Sequence, residues 1–215
     1  MSVLIVSSTQ AECAPVIKSM SDIKQLSPYL YSGLLQGSAV DVLIVGIGSV
    51  STTFRLTQTL LQHNYTRVVS IGIAGSFDED IKNCDIVQIT HDCFADLGID
   101  DNGVFRSLRE AGLPCDDLDS ELIVNPSPAI TPYRQVRGIT VQTTSGSEPR
   151  IADLKKRYNP QVETMENAAF FYVCLEMNIP FASFRAISNK VEPRNKENWQ
   201  IAEAIANLSL TFLFA

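Results

Sequence analysis

Between residues 161 and 194 the chain reads QVETMENAAFFYVCLEMNIPFASFRAISNKVEPR, and no other stretch limits its fold as tightly. The first residues suit a short strand ending at Thr164. Thr164 is a good helix N-cap, which puts Met165 and Glu166 in the first helical turn. Ala168, Ala169, Tyr172, Val173 and Leu175 keep an apolar face turning until Asn178 and Pro180 end the helix. Residues 181–187 are a second apolar, strand-length run that stops at Ser188-Asn189. Strand, helix and strand over this length make one crossover unit of a parallel sheet. Ligands in such sheets bind beyond the carboxyl ends of the strands. That rim carries Glu166 after the first strand and Asn189 after the second.

The remaining strands follow from the same kind of reading. Residues 3–6 are short, apolar and rich in β-branched side chains, a buried first strand, with Glu12 just beyond at the start of a helix that runs to about Gln25. An acid there suits the positive end of a helix dipole as well as it suits chemistry. Residues 29–35 and 40–45 are two strands joined by a Gly37-Ser38 turn. Gly46-Ile47-Gly48 then opens a helix to about His63, either a tight turn or a close approach of backbone N–H groups to a ligand. The full dinucleotide pattern is absent, because Thr52 and Thr53 follow in place of a third glycine. Residues 68–73 form a strand ending in the small residues Ala74-Gly75-Ser76, and residues 85–90 form the next. Residues 139–142 resume the sheet before the polar loop 143–147 and a helix over 148–157. Residues 99–137 are richer in Asp, Pro and Gly, with a short strand at Leu122-Ile123-Val124, and serve either the pocket or a subunit contact. The segment 196–215 has helical spacing and closes the fold.

Whole-chain properties exclude several classes. A length of 215 residues suits one α/β domain over 1–215. The expected architecture is a three-layer αβα sandwich around a central mixed, largely parallel twisted sheet. A net charge of −7 without any Lys/Arg cluster argues against a nucleic-acid surface. Five cysteines, at 13, 84, 93, 115 and 174, include no C-x-x-C pair, and His63 and His91 have no ligand spacing. This favours reduced thiols and no metal site. No apolar run approaches the ~18 residues of a membrane span, and the N-terminus has no basic leader. A cytoplasmic protein without cofactor is expected.

Met165-Glu166 with Ala168-Ala169, followed by Arg185-Ala186-Ile187-Ser188-Asn189, resembles the nucleoside phosphorylase and nucleosidase superfamily. Asn189 and Val191-Glu192-Pro193-Arg194, with Phe94-Ala95-Asp96-Leu97-Gly98, bring the chain nearest to the branch that hydrolyses futalosine in the menaquinone pathway. The resemblance implies a small-molecule nucleoside substrate and a homodimer or larger homo-oligomer. It implies that Glu12 activates the attacking water and that Glu166 holds the ribose hydroxyls and offsets the positive sugar. A first-turn position would favour the ionised form of Glu166. Met165 packs against the sugar, while Ile73, Gly75, Gln142 and Thr143 belong to the nucleoside pocket, Ile73 replacing the Ser or Thr often seen.

Adenine-releasing relatives usually have Asp where this chain has Asn189, whose carboxamide can pair with a 6-oxopurine such as hypoxanthine. Arg194 is placed to meet a substrate carboxylate. Phosphorylases of the superfamily use an arginine-bearing anion site. Segments 7–12 and 46–53 carry no Arg or Lys, which favours water as nucleophile. A 5′-methylthioadenosine/S-adenosylhomocysteine nucleosidase and a purine nucleoside phosphorylase are the other readings.

Overall fold

Strand β1 (Val3–Ser7) shows how the core is divided. Successive side chains of a strand point to opposite faces. Leu4 and Val6 accordingly join one apolar cluster, with Leu56 and Leu60 of helix α2 (Ser49–Gln62) and Phe170 and Phe171 of α4 (Asn167–Glu176). Ile5 joins another, with Cys13 and Val16 of α1 (Gln10–Ser19). Helices on both faces of a mixed sheet make an α/β fold of three layers. The computed structural model describes residues 2–113 and 122–208.

The main sheet has ten strands. Beyond β1 they are β2 (Ser21–Ser27), β3 (Leu30–Leu35), β4 (Ser38–Ile44), β5 (Arg67–Ser76), β6 (Ile86–Asp92), β9 (Ile123–Val124), β10 (Arg134–Thr140), β11 (Val162–Thr164) and β12 (Phe181–Lys190). A separate antiparallel hairpin pairs β7 (Gly98–Asp101) with β8 (Val104–Ser107). Helix α3 (Glu148–Tyr158) precedes β11, and α5 (Ile201–Asn207) follows β12 after a 3-10 turn at Lys196–Asn198. The order is β11-β10-β6-β12-β5-β1-β4-β3-β2, and β11 also pairs antiparallel with the end of β5. Strands β5, β12, β6, β10 and β11 therefore close into a ring.

Several local expectations change. The first helix stops at Ser19, and residues expected to continue it form β2, an exposed edge strand paired with β3. Strand β5 runs through Ala74-Gly75-Ser76, because those residues still pair with β12. Strand β10 ends at Thr140, short of Gln142. Strand β12 continues through Ser188-Asn189 to Lys190 past a register shift after Ile187. The unit at 161–194 is no parallel crossover: β11 is antiparallel to β5 and β12 parallel to it, so the two run in opposite directions. Thr164 stays in the strand and Glu166 takes the N-cap position, although the Thr164 hydroxyl still accepts the Asn167 N–H at 3.3 Å. The closing helix is seven residues long, and residues 209–215, included in that expectation, lie outside the described residues.

Candidate active site

The ring closure draws strand ends of opposite direction to one cavity of about 510 Å³. Four carboxylates line it: Glu12, Glu163, Glu166 and Glu192. Ile73, Gly75, Met165, Asn189 and Arg194 of the expected set line it too.

Glu12 is 6% exposed and every bond it makes fixes its direction. Thr9 caps α1 and donates its N–H (2.9 Å) and hydroxyl (2.7 Å) to Oε2, while Ile73 N–H donates to Oε1 at 3.0 Å. The helix-start role and the site role are thus one geometry: the capping box aims the carboxyl across the end of β1 toward β5. Gly72 makes room for it, since a Cβ there would lie 2.7 Å from Oε1 and 3.6 Å from Arg185 Nε.

Glu166 leaves the helix with φ −129° and ψ −25°, and its Oε1 accepts the Gly48 N–H at 2.8 Å. The glycine turn before α2 therefore supplies a donor to an acid 118 residues away. Burial pushes the Glu166 carboxyl above its ordinary range; the Gly48 N–H, Arg185 and Ser8 pull against that, and Glu12 adds to it. This corrects the expectation that a helix start holds it ionised: as the N-cap it lies outside the first turn, and desolvation outweighs the favourable partners.

Arg185 was not expected in the site. It is 2% exposed, and its guanidinium donates to Ser183 Oγ (3.1 Å), the Phe184 carbonyl (2.8 Å) and Ser70 Oγ (3.0 Å). Burial lowers its pKa, and the charges of Glu166, Glu12 and Asp92 oppose that. A lone arginine inside the apolar run 181–187 is the sequence signal, because a buried charge is retained only where partners meet it. Behind it Asn167 joins Asp92 to the cluster: its Nδ2 donates to Asp92 Oδ2 at 2.8 Å and its Oδ1 accepts the Ser183 hydroxyl at 2.5 Å.

Asn189 follows the β12 bulge. Ser188 Oγ donates to its Oδ1 at 2.8 Å and its Nδ2 donates to the Lys190 carbonyl, also at 2.8 Å. Glu163, also missed, accepts the Ser145 N–H (2.9 Å) and hydroxyl (2.5 Å). At the rim, the Arg194 guanidinium lies 5.2 Å from the Trp199 ring centre, a cation–π contact, and Lys190 pairs with Glu79. Gln142 and Thr143 are not brought to this cavity. Gln142 donates to Ser49 Oγ at 2.8 Å in an adjoining groove, and Thr144 and Ser145 take the lining positions. Among the described residues no cluster of His, Cys, Asp and Glu could hold a metal ion, and no helix is long and apolar enough to cross a membrane.

A buried acid, Glu12, and a half-buried one, Glu166, both in the field of the buried Arg185 guanidinium and beside an open cleft, can deprotonate a water and steady a cation. Comparison with known proteins agrees in kind. The family model described as "Phosphorylase superfamily" matches residues 2–211. The futalosine hydrolase of Streptomyces coelicolor is 30% identical over 79% of this chain and 75% of that protein. The 5′-methylthioadenosine/S-adenosylhomocysteine nucleosidase of Psychromonas ingrahamii is 29% identical over 74% of this chain and 71% of that one. In shape, the chain is similar to the nucleosidase of the latter type from Colwellia psychrerythraea, solved in complex with adenine. Their TM-score is 0.82 at 21% identity, covering 99% of this chain and 93% of that one.

Proposed function

The chain belongs to the phosphorylase superfamily, and within it we propose a nucleosidase that hydrolyses the N-ribosidic bond of futalosine, or a near relative, releasing hypoxanthine and dehypoxanthine futalosine. Nucleosidase chemistry is common to the named relatives, futalosine hydrolase and 5′-methylthioadenosine/S-adenosylhomocysteine nucleosidase. The choice of a 6-oxopurine rests on one observation, the carboxamide of Asn189 at the cavity. Its oxygen is fixed by Ser188, and its nitrogen keeps a second N–H for a ring nitrogen or a 6-oxo group.

Cleavage of an N-ribosidic bond passes through an oxocarbenium-like sugar. Glu12, held by Thr9 and Ile73, takes the proton of the attacking water as its oxygen bonds to C1′. The electron pair of the broken C1′–N9 bond leaves with the hypoxanthine, which the free N–H of Asn189 steadies until it takes up a proton. Glu166 accepts hydrogen bonds from the ribose hydroxyls and balances the positive ring. Arg185, shared beneath both acids, limits the cost of holding two carboxylates close together. Met165 packs on the sugar, and Arg194 at the rim meets the carboxylate of the substrate's 5′ side. The cations lining the cavity are Lys190, already paired, and Arg194; Arg185 lies beneath it with its donors on Ser183, the Phe184 carbonyl and Ser70, which leaves the Glu12 end without a phosphate cradle among the described residues. This supports water as the nucleophile.

The same proposal takes 1–215 as one cytoplasmic domain and the working form as a homo-oligomer. Val50, Phe54 and Leu61, exposed on α2, are the surface we assign to the contact. Light scattering that finds only monomer would remove that part.

The test is chromatography of purified protein with futalosine, with and without phosphate. Equal release of hypoxanthine in both supports hydrolysis. Release only with phosphate means a phosphorylase. Adenine from methylthioadenosine, with no hypoxanthine from futalosine, means the adenine-releasing nucleosidase, the reading favoured by the Psychromonas ingrahamii relative.

A further inference from the structure

Asp92 and Asn167 have no part in the chemistry just described, yet both are fully buried, one at the end of β6 and the other directly after Glu166 at the start of α4. Asp92 is held from three sides. The Cys93 N–H (2.8 Å) and the Thr140 hydroxyl (2.9 Å) donate to its Oδ1, and Asn167 Nδ2 (2.8 Å) donates to its Oδ2. Strand β10 leaves room for this carboxyl because residue 138 is glycine: a Cβ there would lie 2.6 Å from Oδ2. Thr140 gives its one proton to Asp92, so its oxygen accepts the Ala168 N–H at 2.8 Å and the Thr164 hydroxyl at 3.2 Å. The start of α4 is thereby pinned to β10, with Glu166 beside the pin. An amide has an acceptor end and a donor end, whereas a carboxylate only accepts. With Asp92 Oδ2 against its nitrogen, Asn167 must turn its oxygen the other way. That oxygen accepts the Ser183 hydroxyl at 2.5 Å and Arg185 Nη2 at 3.5 Å, and Ser183 Oγ accepts Arg185 Nη1 at 3.1 Å.

We propose that Asp92 and Asn167 are positioning residues for the hydrolysis: the Asp92 carboxylate fixes which end of Asn167 faces β12, and that end holds the Arg185 guanidinium in place for Glu12 and Glu166. This rests on the nucleosidase reading above and adds the groups that keep its charged centre aligned. Every hydrogen bond in the row from Arg185 through Ser183 and Asn167 runs toward Asp92, so its direction is set at the far end. Buried hydrogen bonds aligned in a row reinforce one another. At the near end, the point above Gly72 that is 2.7 Å from Glu12 Oε1 is 3.6 Å from Arg185 Nε. A turned Asn167 would set N–H groups against the guanidinium. Ser70 and the Phe184 carbonyl would keep Arg185 buried but displaced, with a changed field at both acids. Neither Asp92 nor Asn167 lines the cavity, so the effect falls on turnover and not on the fit of the substrate.

The experiment is steady-state hydrolysis of futalosine by wild type, Asp92→Asn, Ser183→Ala and the exchange Asp92→Asn with Asn167→Asp, each with a thermal melt. It is run at about pH 8, where the Asp92 carboxyl, pushed by burial up to about 7, is ionised. Cys93 and Thr140 still require an oxygen at the Oδ1 position, so the amide introduced by Asp92→Asn turns its nitrogen to Asn167 and forces that side chain over. Its kcat should fall by about tenfold or more with KM within about twofold of wild type. The exchange keeps the total charge and gives Ser183 and Arg185 an acceptor again, so it should recover most of the lost kcat. A merely structural pair would show no such recovery. Ser183→Ala breaks the row between Asn167 and Arg185, should lower kcat at near-constant KM, and decides the matter if Asp92→Asn does not fold. A kcat within twofold of wild type in Ser183→Ala or a folded Asp92→Asn overturns the inference, and so does an exchange no more active than Asp92→Asn. Wild type that releases adenine from methylthioadenosine and nothing from futalosine overturns the substrate reading alone, and the same comparison on methylthioadenosine then judges the inference. Wild type that releases no base from either overturns both.

Discussion

Replacing Gly72 with alanine tests the placement of Glu12 without touching any charged group. No positive φ constrains Gly72, so alanine meets no backbone penalty there; the obstacle is the new methyl, 2.7 Å from Glu12 Oε1. Ordinary contact begins near 3.4 Å, so the carboxyl must retreat by about 0.7 Å. Oε1 can do so only by stretching its 3.0 Å bond from Ile73 N–H, because Thr9 holds the other oxygen. A hydrogen bond to a charged group contributes about 1.5–3 kcal/mol. The smaller unfolded-state entropy of alanine returns about 0.4–1 kcal/mol of that. The net cost of about 1–2 kcal/mol lowers Tm by only a few degrees in a chain of this size, at about 2–4 °C per kcal/mol. Catalysis is more sensitive, since a displacement near 1 Å costs about a hundredfold. We expect kcat on futalosine to fall between about thirtyfold and a hundredfold while the hypoxanthine dissociation constant changes little. Steady-state kinetics, calorimetric titration and a thermal melt read the three quantities. A kcat within twofold of wild type would refute the reasoning, and so would base binding that falls as far as kcat.

Glu12→Gln should abolish turnover with ligand binding largely kept; equal loss of both would make the acid purely structural. Asn189→Asp should shift use from 6-oxopurines toward 6-aminopurines in paired assays, and an unchanged preference would end our account of that residue. Asp92 gives a prediction for stability against pH. It accepts bonds from Cys93 N–H, the Thr140 hydroxyl and Asn167 Nδ2, yet burial pushes its pKa up to about 7. The folded protein then holds a proton that the unfolded chain gives up near pH 4. The contribution is complete below about pH 4 and is lost as pH rises through about 7, by at most about 4 kcal/mol. Urea unfolding of wild type and Asp92→Asn at pH 5 and 8 reads it. A pH slope that the substitution leaves unchanged would count against Asp92 as its source.

How much of this was legible depended on whether the cause was local. Strands β1, β5 and β12 are apolar runs buried on both faces, and their presence follows from composition alone. Strand β2 is the opposite case: SDIKQLS is exposed throughout, and only the free edge of β3 makes it a strand. Nothing local directs β11 against β5, because that pairing joins residues 86 and 88 positions apart. The site divides in the same way. Glu12, Glu166 and Asn189 stand near the ends of recognisable strands, where the chain leaves the core. Glu163 and Arg185 lie within strands, where only their partners decide that they are buried. Ser145 holds the first, and Ser70 is among those holding the second. Gln142 shows the limit of phase reading. Two residues past the end of β10, its side chain reaches Ser49 and turns away from the cavity.

Strand β12 comes near the end of the chain yet lies between β5 and β6. Residues 93–180, among them α3, β11 and α4, separate it from β6. Contacts so distant in sequence are the slow ones to form. Until β12 inserts, the sheet has a gap at its middle, and Asn189 is missing from the cavity. Assembly of the cleft and completion of the fold are therefore a single late event. In refolding from denaturant, recovery of turnover should lag the early helical signal and coincide with burial of Phe184, on the strand that fills the gap.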